Sequence, residues 1–147
     1  MHKVERGSTG YVGILTETPG NDMLDVRGRA YASGGWQTTN GDYAEWFEKE
    51  GDPGPGDLIG IDPETGKART YTAGDKFIGI HSSNPAVVGN RMKESEEEMQ
   101  ETHVLVGLLG QLEVDSDQIT VENNLVYAKD GTYVGVMLSN DKVLVGR

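Results

Sequence analysis

Cysteine is absent from the 147 residues, which excludes a disulfide framework and a Cys-based zinc site. Long apolar runs are missing as well. No stretch approaches the roughly 18 apolar residues that suggest a membrane-spanning helix, and residues 1–10 have no apolar core of a signal peptide. These absences predict a soluble protein that is not inserted in a membrane. The strand-like end at Arg147 suggests a piece of a longer chain.

Positive charge is scarce. The chain has 13 Lys and Arg against 24 Asp and Glu, and its formal net charge is −11. Affinity for nucleic acid comes mainly from clusters of Lys and Arg that displace counterions from phosphates. The sequence has no such cluster, so we expect no nucleic acid among the partners.

Glycine is abundant instead, and its distribution predicts an all-β fold. The 21 glycines punctuate short runs of Val, Ile, Leu and Tyr. Two glycine-containing turns, residues 62–67 and 129–132, are predicted to close β-hairpins because each supplies Gly where a positive φ is needed. The candidate strands are GYVGILTE, MLDVRGRAYAS, YAEWFEK, DLIGID, ARTYTA, KFIGIHS, HVLVGLLGQLEV, QITVEN, LVYAKD, YVGVMLS and KVLVG.

The first 41 residues differ in character from those that follow. They include the Arg/Gly-rich segment DVRGRAYASGG, and the dense succession of candidate strands begins only after them. We therefore predict an extended β stalk over residues 1–41 and a compact barrel-like or sandwich-like domain over residues 42–147. Because a two-stranded ribbon is marginally stable alone in water, the stalk is expected to pair between chains of an oligomer.

One segment is a poor strand former. Residues 91–101, RMKESEEEMQE, contain five glutamates and no β-branched residue. This composition indicates either a short helix or a solvated loop. An exposed acidic connector is the favoured interpretation, because charge runs are usually solvated surface.

The segment NGDYAEWFE, residues 40–48, concentrates carboxylates and aromatic rings. Asp42 and Glu45 are three residues apart, so they would be neighbours on a helix but would stand on opposite faces of a strand, about 10 Å apart. The aromatic-rich YAEWF favours a strand. A carboxylate pair would then need Asp42 of one subunit and Glu45 of the next.

Two carboxylates held close together cannot both ionise easily. One keeps a proton and acts as an acid, while the other acts as a base on water, which suits hydrolysis of amides or glycosides. The alternative is structural: Asp42 caps the turn after Gly41, and Glu45 is an exposed strand residue. The spacing alone favours this structural alternative.

Three motifs occur in order along the chain: NGDYAEWFE, then GDPGPGDLIGID, then FIGIHSSNPAVVGN. Together with HVLVGLLGQLEV and YVGVMLSNDKVLVGR they resemble the peptidase G2 family over nearly the whole chain. That family is the self-cleaving intramolecular chaperone domain at the C-terminus of bacteriophage tail spikes and appendages. DVRGRAYASGGW is similar to the end of the stalk that precedes the cleavage motif in such proteins.

The resemblance implies hydrolysis of the bond between Gly41 and Asp42. It implies that Asp42 and Glu45 are the catalytic acids and that the site is assembled between subunits of an intertwined homotrimer. Residues 1–41 would stay with the virion tail, and the piece from Asp42 onward would be released in the host cytoplasm during phage assembly. One position departs from the pattern, because this chain has Gly41 where the relatives carry Ser.

Other candidate sites are weaker. His2, His81 and His103 are too scattered for a metal site, and a hydrogen bond from the His81 ring to backbone is expected. Ser82 and Ser83 lack a positioned base for a Ser/His hydrolase. GDPGPG lacks the Lys of a nucleotide-binding loop, so no cofactor is predicted.

The aromatic residues beside the proposed bond have a predicted place at a subunit interface, where aromatics supply much of the apolar area. They are Trp36, Tyr43, Trp46 and Phe47. The sequence thus predicts a trimeric chaperone domain that folds the upstream spike polypeptide and cuts itself off. The alternatives are a non-enzymatic trimeric capping or host-adhesion module, and a glycosidase that uses the same two acids.

Overall fold

A computed structural model describes residues 4–6, 12–14, 24–92 and 95–146. The chain divides into two units, Met1–Gln37 and Thr38–Arg147. His2 lies outside the described residues. Neither described helix is long and apolar enough to cross a membrane.

The first unit contains a three-stranded sheet. Strand β1 (Val4–Arg6) pairs antiparallel with β2 (Val12–Ile14), and β2 pairs parallel with β3 (Leu24–Val26). The strand predicted over MLDVRGRAYAS is therefore much shorter than expected. Residues 27–33 are bends, turns and irregular backbone, as their Arg, Gly and Ser content permits.

The second unit is built on one sheet of ten strands, with one α-helix (α1, Glu96–Thr102) and one short 3₁₀ turn, Ser116–Gln118. An all-β fold is thus confirmed for the described residues. The strands are β4 (Asp42–Glu48), β5 (Leu58–Ile61), β6 (Ala68–Thr70), β7 (Lys76–His81), β8 (Val87–Gly89), β9 (His103–Leu112), β10 (Ile119–Glu122), β11 (Leu125–Ala128), β12 (Tyr133–Met137) and β13 (Val143–Val145).

Strand β9 is the organising strand of this sheet. Along one edge it pairs antiparallel with β4 over the whole length of β4. Along its other edge it pairs with β7 near its middle and with β13 near its end. Strands β10 to β13 form an antiparallel meander that joins β9 through β13, and β5 and β6 join β9 through β7.

Both predicted hairpins are present. Strands β5 and β6 flank residues 62–67, and β11 and β12 flank residues 129–132. Gly66 and Gly131 adopt φ of 72° and 90°, the left-handed backbone that the turns require. Strand β8 was not predicted, because NPAVVGN looked like a turn; three of its residues pair parallel with β4.

Helix α1 replaces the connector favoured for the acidic segment. Ser95 caps it: the Ser95 hydroxyl accepts from the Glu98 backbone N–H, and the Glu98 carboxylate accepts from the Ser95 backbone N–H. Three glutamates in the first turn also suit the positive end of the helix dipole. The helix buries Met99 completely, in a cluster with Ala44, Trp46 and Leu105.

Two further apolar clusters hold the sheet. The larger contains Leu58, Ile80, Val126 and Val143 and so links the meander to the other half of the sheet. The second contains Ile59, Ala68, Val104 and Val106. Strand β4 is thereby fixed along one edge of a packed β9, which sets the positions of Asp42 to Glu48.

Candidate functional site

Asp42 is the first residue of β4, which confirms the strand predicted for YAEWF. Burial alternates along this strand. Asp42, Ala44 and Trp46 are buried, whereas Tyr43, Glu45 and Phe47 are partly exposed. Alternation of this kind places successive side chains on opposite faces of the sheet. Asp42 and Glu45 therefore lie on opposite faces of β4, separated by about 10 Å along the strand.

The peptide bond between Gly41 and Asp42 borders an open groove of about 450 Å³. Gly41 is exposed, whereas Asp42 is only 6% exposed. The lining is mostly polar and includes Asp42, Ser82, Ser83, Asn84, Glu113, Asp115 and Lys142. Water therefore has a route to the Gly41 side of the bond, while the carboxylate of Asp42 sits at a buried wall.

Backbone hydrogen bonds hold both carbonyl groups next to this bond. The Gln111 N–H donates to the Gly41 oxygen at 3.1 Å, and the Ala86 N–H donates to the Asp42 oxygen at 2.9 Å. One donor comes from β9 and the other from the segment just before β8. The peptide between Gly41 and Asp42 is thus held by β9 through its own carbonyl, and the next peptide is held by the segment before β8.

The Asp42 carboxylate has a side-chain partner of its own. The Ser82 hydroxyl donates to Asp42 Oδ2 at 2.7 Å, and both residues are buried. The Ser82 backbone is itself fixed, because its N–H donates to the Leu105 carbonyl at 3.0 Å. The Ser82 hydroxyl bonds Oδ2 and not Oδ1, the other oxygen of the Asp42 carboxylate.

Glu45 lies against the edge strand β8. Its carboxylate accepts a hydrogen bond from the Tyr43 hydroxyl two residues earlier. This hydrogen bond raises the pKa of Tyr43 above its ordinary value, with burial and the charge of Glu45 acting in the same direction. Tyr43 therefore remains a donor at neutral pH.

Gly89 of β8 makes room for that pair. A Cβ atom on Gly89 would touch the Tyr43 hydroxyl and lie 3.1 Å from Cγ of Glu45. Among the described strands β8 pairs with β4 alone, so its other edge is unpaired. Val87 and Val88 are also exposed there, at 54% and 39%. Glu45 thus lies one strand away from a free edge with exposed apolar side chains.

The four aromatic residues singled out from the sequence, and His81, have different surroundings. Trp46 is buried in the chain's own core, so the prediction that it packs at a subunit interface is wrong. Tyr43 and Phe47 are half-buried, and Trp36 is 71% exposed. The His81 ring lines the groove, but its buried Nδ1 has no hydrogen-bond partner, contrary to the bond predicted for it.

Metal binding has no candidate among residues 24–92 and 95–146. No three His, Asp or Glu side chains there are grouped closely enough to hold an ion. The carboxylates near the Gly41–Asp42 bond are accompanied by hydroxyl, amide and amine groups instead.

Sequence reasoning missed three residues of this site. Ser82 was considered only as a nucleophile, and neither Gly110 nor Gln111 was singled out. Ser82 bonds Asp42, Gln111 bonds Gly41, and Gly110 lies opposite Asp42 in the β4–β9 register, each from 40 or more positions along the chain. No local spacing signal connects them to NGDYAEWFE.

Comparison with protein-family models, with curated proteins and with solved structures found no match for this chain.

Proposed function

We propose that the chain is a self-cleaving chaperone domain that trimerises, assists the folding of an upstream phage spike polypeptide and then hydrolyses its own Gly41–Asp42 bond. The observation that carries this proposal is the position of that bond. It borders a polar groove, its two flanking carbonyls are held by backbone N–H donors, and a buried carboxylate follows it directly.

The reaction is an ordinary amide hydrolysis. The oxygen of a water molecule bonds to the Gly41 carbonyl carbon, and the bond to the Asp42 nitrogen breaks. Gly41 becomes a carboxylate, and both water protons end on the Asp42 amine. One carboxyl group acts as the base that takes a proton from water, and the other protonates the departing nitrogen.

The second carboxyl group comes from a neighbouring subunit in this proposal. Asp42 and Glu45 of one chain lie on opposite faces of β4, so they do not form a pair within the chain. Glu45 lies beside β8, whose outer edge is unpaired among the described strands. A second copy that approaches this edge would bring its own Gly41–Asp42 bond towards Glu45.

A reaction that happens once needs much less catalysis than an enzyme with many turnovers. One cut in a quarter to half an hour corresponds to a barrier of about 21 to 22 kcal/mol, whereas a turnover near 10 s⁻¹ needs about 16 kcal/mol. A deep substrate cleft is therefore unnecessary, in keeping with an open groove.

The test is a denaturing gel of the purified chain after incubation at neutral pH. We expect pieces of 41 and 106 residues, because the 147 residues divide after Gly41. Asp42→Ala and Glu45→Ala should each abolish the cut without dissolving the oligomer. Glu48→Ala is the matched control, because Glu48 is an exposed carboxylate at the end of the same strand.

A non-enzymatic capping module is the second candidate. It is favoured by the hydrogen bonds of the two acids, since Asp42 is bound by Ser82 and Glu45 by Tyr43 within one chain. A single intact band that persists in a purified trimer would support this candidate and refute autolysis.

A further inference from the structure

The approach of β9 to the Gly41 carbonyl depends on a residue without a side chain. Gly110 lies opposite Asp42 in the β4–β9 register. A Cβ atom on Gly110 would overlap the Gly41 oxygen and lie 2.8 Å from Cα of Asp42. Gly110 also adopts φ of 113°, a backbone conformation that residues with side chains rarely adopt.

This approach places an N–H group where hydrolysis develops negative charge. When water attacks an amide, the carbonyl oxygen becomes an oxyanion, and a fixed donor about 2.7–3.1 Å away stabilises it. The Gln111 N–H stands 3.1 Å from the Gly41 oxygen in the intact chain. It belongs to the backbone of a paired strand, so little reorganisation is needed as the charge develops.

We propose that the Gln111 backbone N–H is the oxyanion donor for the Gly41–Asp42 bond and that Gly110 is the positioning residue that allows it to approach. The inference rests on the proposed autolysis and adds the group that activates the bond. The two carboxyl groups move protons, whereas this amide lowers the energy of the charged intermediate.

The kinetic test is the variant Gly110→Ala, compared with Gly131→Ala. Both glycines have positive φ, but nothing lies within 4 Å of a Cβ on Gly131. The two variants therefore share the backbone strain and differ in the clash. We expect Gly110→Ala to slow the cut about 100-fold, the usual effect of losing one oxyanion donor, and Gly131→Ala to cut at close to the parent rate.

A spectroscopic readout separates positioning from general damage. Glu45→Gln supplies an uncut chain, which is labelled with ¹³C at glycine carbonyls and ¹⁵N at aspartate. Only Gly–Asp peptides then give a cross-peak; the sequence has them at residues 41–42, 51–52, 56–57 and 74–75. The additional change Asp42→Asn removes one peak and so assigns it.

In the labelled chain we expect Gly110→Ala to move the Gly41 carbonyl resonance upfield, as a lost hydrogen bond does, and to leave the other three peaks in place. Gly131→Ala should leave the Gly41 peak unchanged. Should Gly110→Ala fail to fold and all four peaks move, the scalar coupling across the hydrogen bond, between Gln111 nitrogen and Gly41 carbonyl carbon, is measured in the Glu45→Gln chain itself, labelled with ¹⁵N at glutamine and ¹³C at glycine carbonyls.

The outcomes distinguish this inference from the proposed function. An uncut parent chain overturns both. A parent chain that cuts, together with Gly110→Ala cutting as fast as Gly131→Ala, overturns the inference alone. Absence of the coupling between Gln111 and Gly41 also overturns it alone, whereas a measurable coupling and a selective loss of rate support it.

Discussion

At the scale of single residues, the buried Asp42 carboxylate has a hydroxyl partner that fixes its orientation. Ser82 donates to it at 2.7 Å, and each residue is less than a tenth exposed. Removing one partner of a buried hydrogen bond leaves the other group with no hydrogen-bond partner, because water does not reach it. That loss costs more than the bond contributes when it is made.

We expect Ser82→Ala to lower the free energy of unfolding by about 1–3 kcal/mol, the usual cost of leaving a buried acceptor unsatisfied. Urea denaturation of an uncut Glu45→Gln background measures it. Ser83→Ala is the control, because Ser83 is the exposed neighbour in the same groove. Equal stabilities for the two variants would contradict a structural contribution from the hydroxyl.

The sequence directed attention to part of the candidate site. The segment from Asn40 to Glu48 is notable because it holds three acids and three aromatic residues, and the strand that contains Asp42 and Glu45 was correctly predicted. Ser82 and Gly110 were not predicted to join the site, because their relation to Gly41 and Asp42 exists only once β7 and β4 flank β9. The importance of Gly110 comes from a close backbone approach that sequence alone does not contain.

At the scale of elements, α1 is a short helix that depends on its cap and on one buried side chain. Seven residues are too few for a stable isolated helix in water. Ser95 and Glu98 satisfy each other's backbone donors at its start, and Met99 packs against Ala44 and Leu105.

We expect Ser95→Ala to destabilise the second unit by about 1 kcal/mol through loss of the N-cap. Thermal unfolding followed by circular dichroism measures the change. Gln100→Ala is the control, because Gln100 is exposed on the same helix and Ala is a better helix former. A Tm for Ser95→Ala that matches the control would refute the contribution of the cap.

Strand β6 is tied to the turn before β7 by an ion pair. The Arg69 guanidinium makes two hydrogen bonds to Asp75, at 3.0 and 2.7 Å, and also reaches Asp62 and Glu50. The hydrogen bonds from Arg69 hold the pKa of Asp75 below its ordinary value, against the opposing effect of burial. A carboxyl group with a lowered pKa stabilises the folded state above the pKa it has when unfolded, near 3.9.

We therefore expect the Tm difference between the parent and Arg69→Met to be largest near neutral pH. It should shrink as the pH falls below about 4 and Asp75 takes up a proton. Thermal scans between pH 7 and pH 3 measure it. Lys67→Met is the control, because Lys67 and Glu48 form an exposed pair from which little stability is expected. A difference independent of pH would rule out the ion pair as its cause.

Elements were predictable where their signals are local. The hairpins at residues 62–67 and 129–132 followed from glycine and flanking β-branched residues. Strand β8 did not, because NPAVVGN has turn residues at both ends and becomes a strand only by pairing with β4. The cap of α1 was readable as Ser95 followed by Glu98, yet the glutamate content favoured a connector.

At the scale of the whole molecule, the proposed pairing of acids between subunits makes a prediction that no single-chain mechanism shares. Asp42→Ala chains and Glu45→Ala chains should each remain intact when expressed alone. Co-expressed, mixed oligomers should regain the cut, because one chain supplies Asp42 and its neighbour supplies Glu45.

The cut should occur in the Glu45→Ala chain, which retains Asp42 next to its own bond. Tags of different mass on the two chains identify the fragments on a denaturing gel. In the control co-expression of Asp42→Ala with Glu48→Ala, the cut should be confined to the Glu48→Ala chain, which carries both acids, and the Asp42→Ala chain should stay intact. Mixed Asp42→Ala and Glu45→Ala oligomers that stay intact would exclude the trans arrangement.

Because Asp42 is the first residue of β4, severing the chain before it would leave that strand its full register with β8 and β9. The new terminus would begin inside the ladder, with the Asp42 carbonyl still bound by Ala86. On the other side of the break, Gly41 would keep one ladder hydrogen bond, from Gln111. Scission at this point would thus remove no strand pairing from the sheet, and the C-terminal fragment would be expected to stay folded.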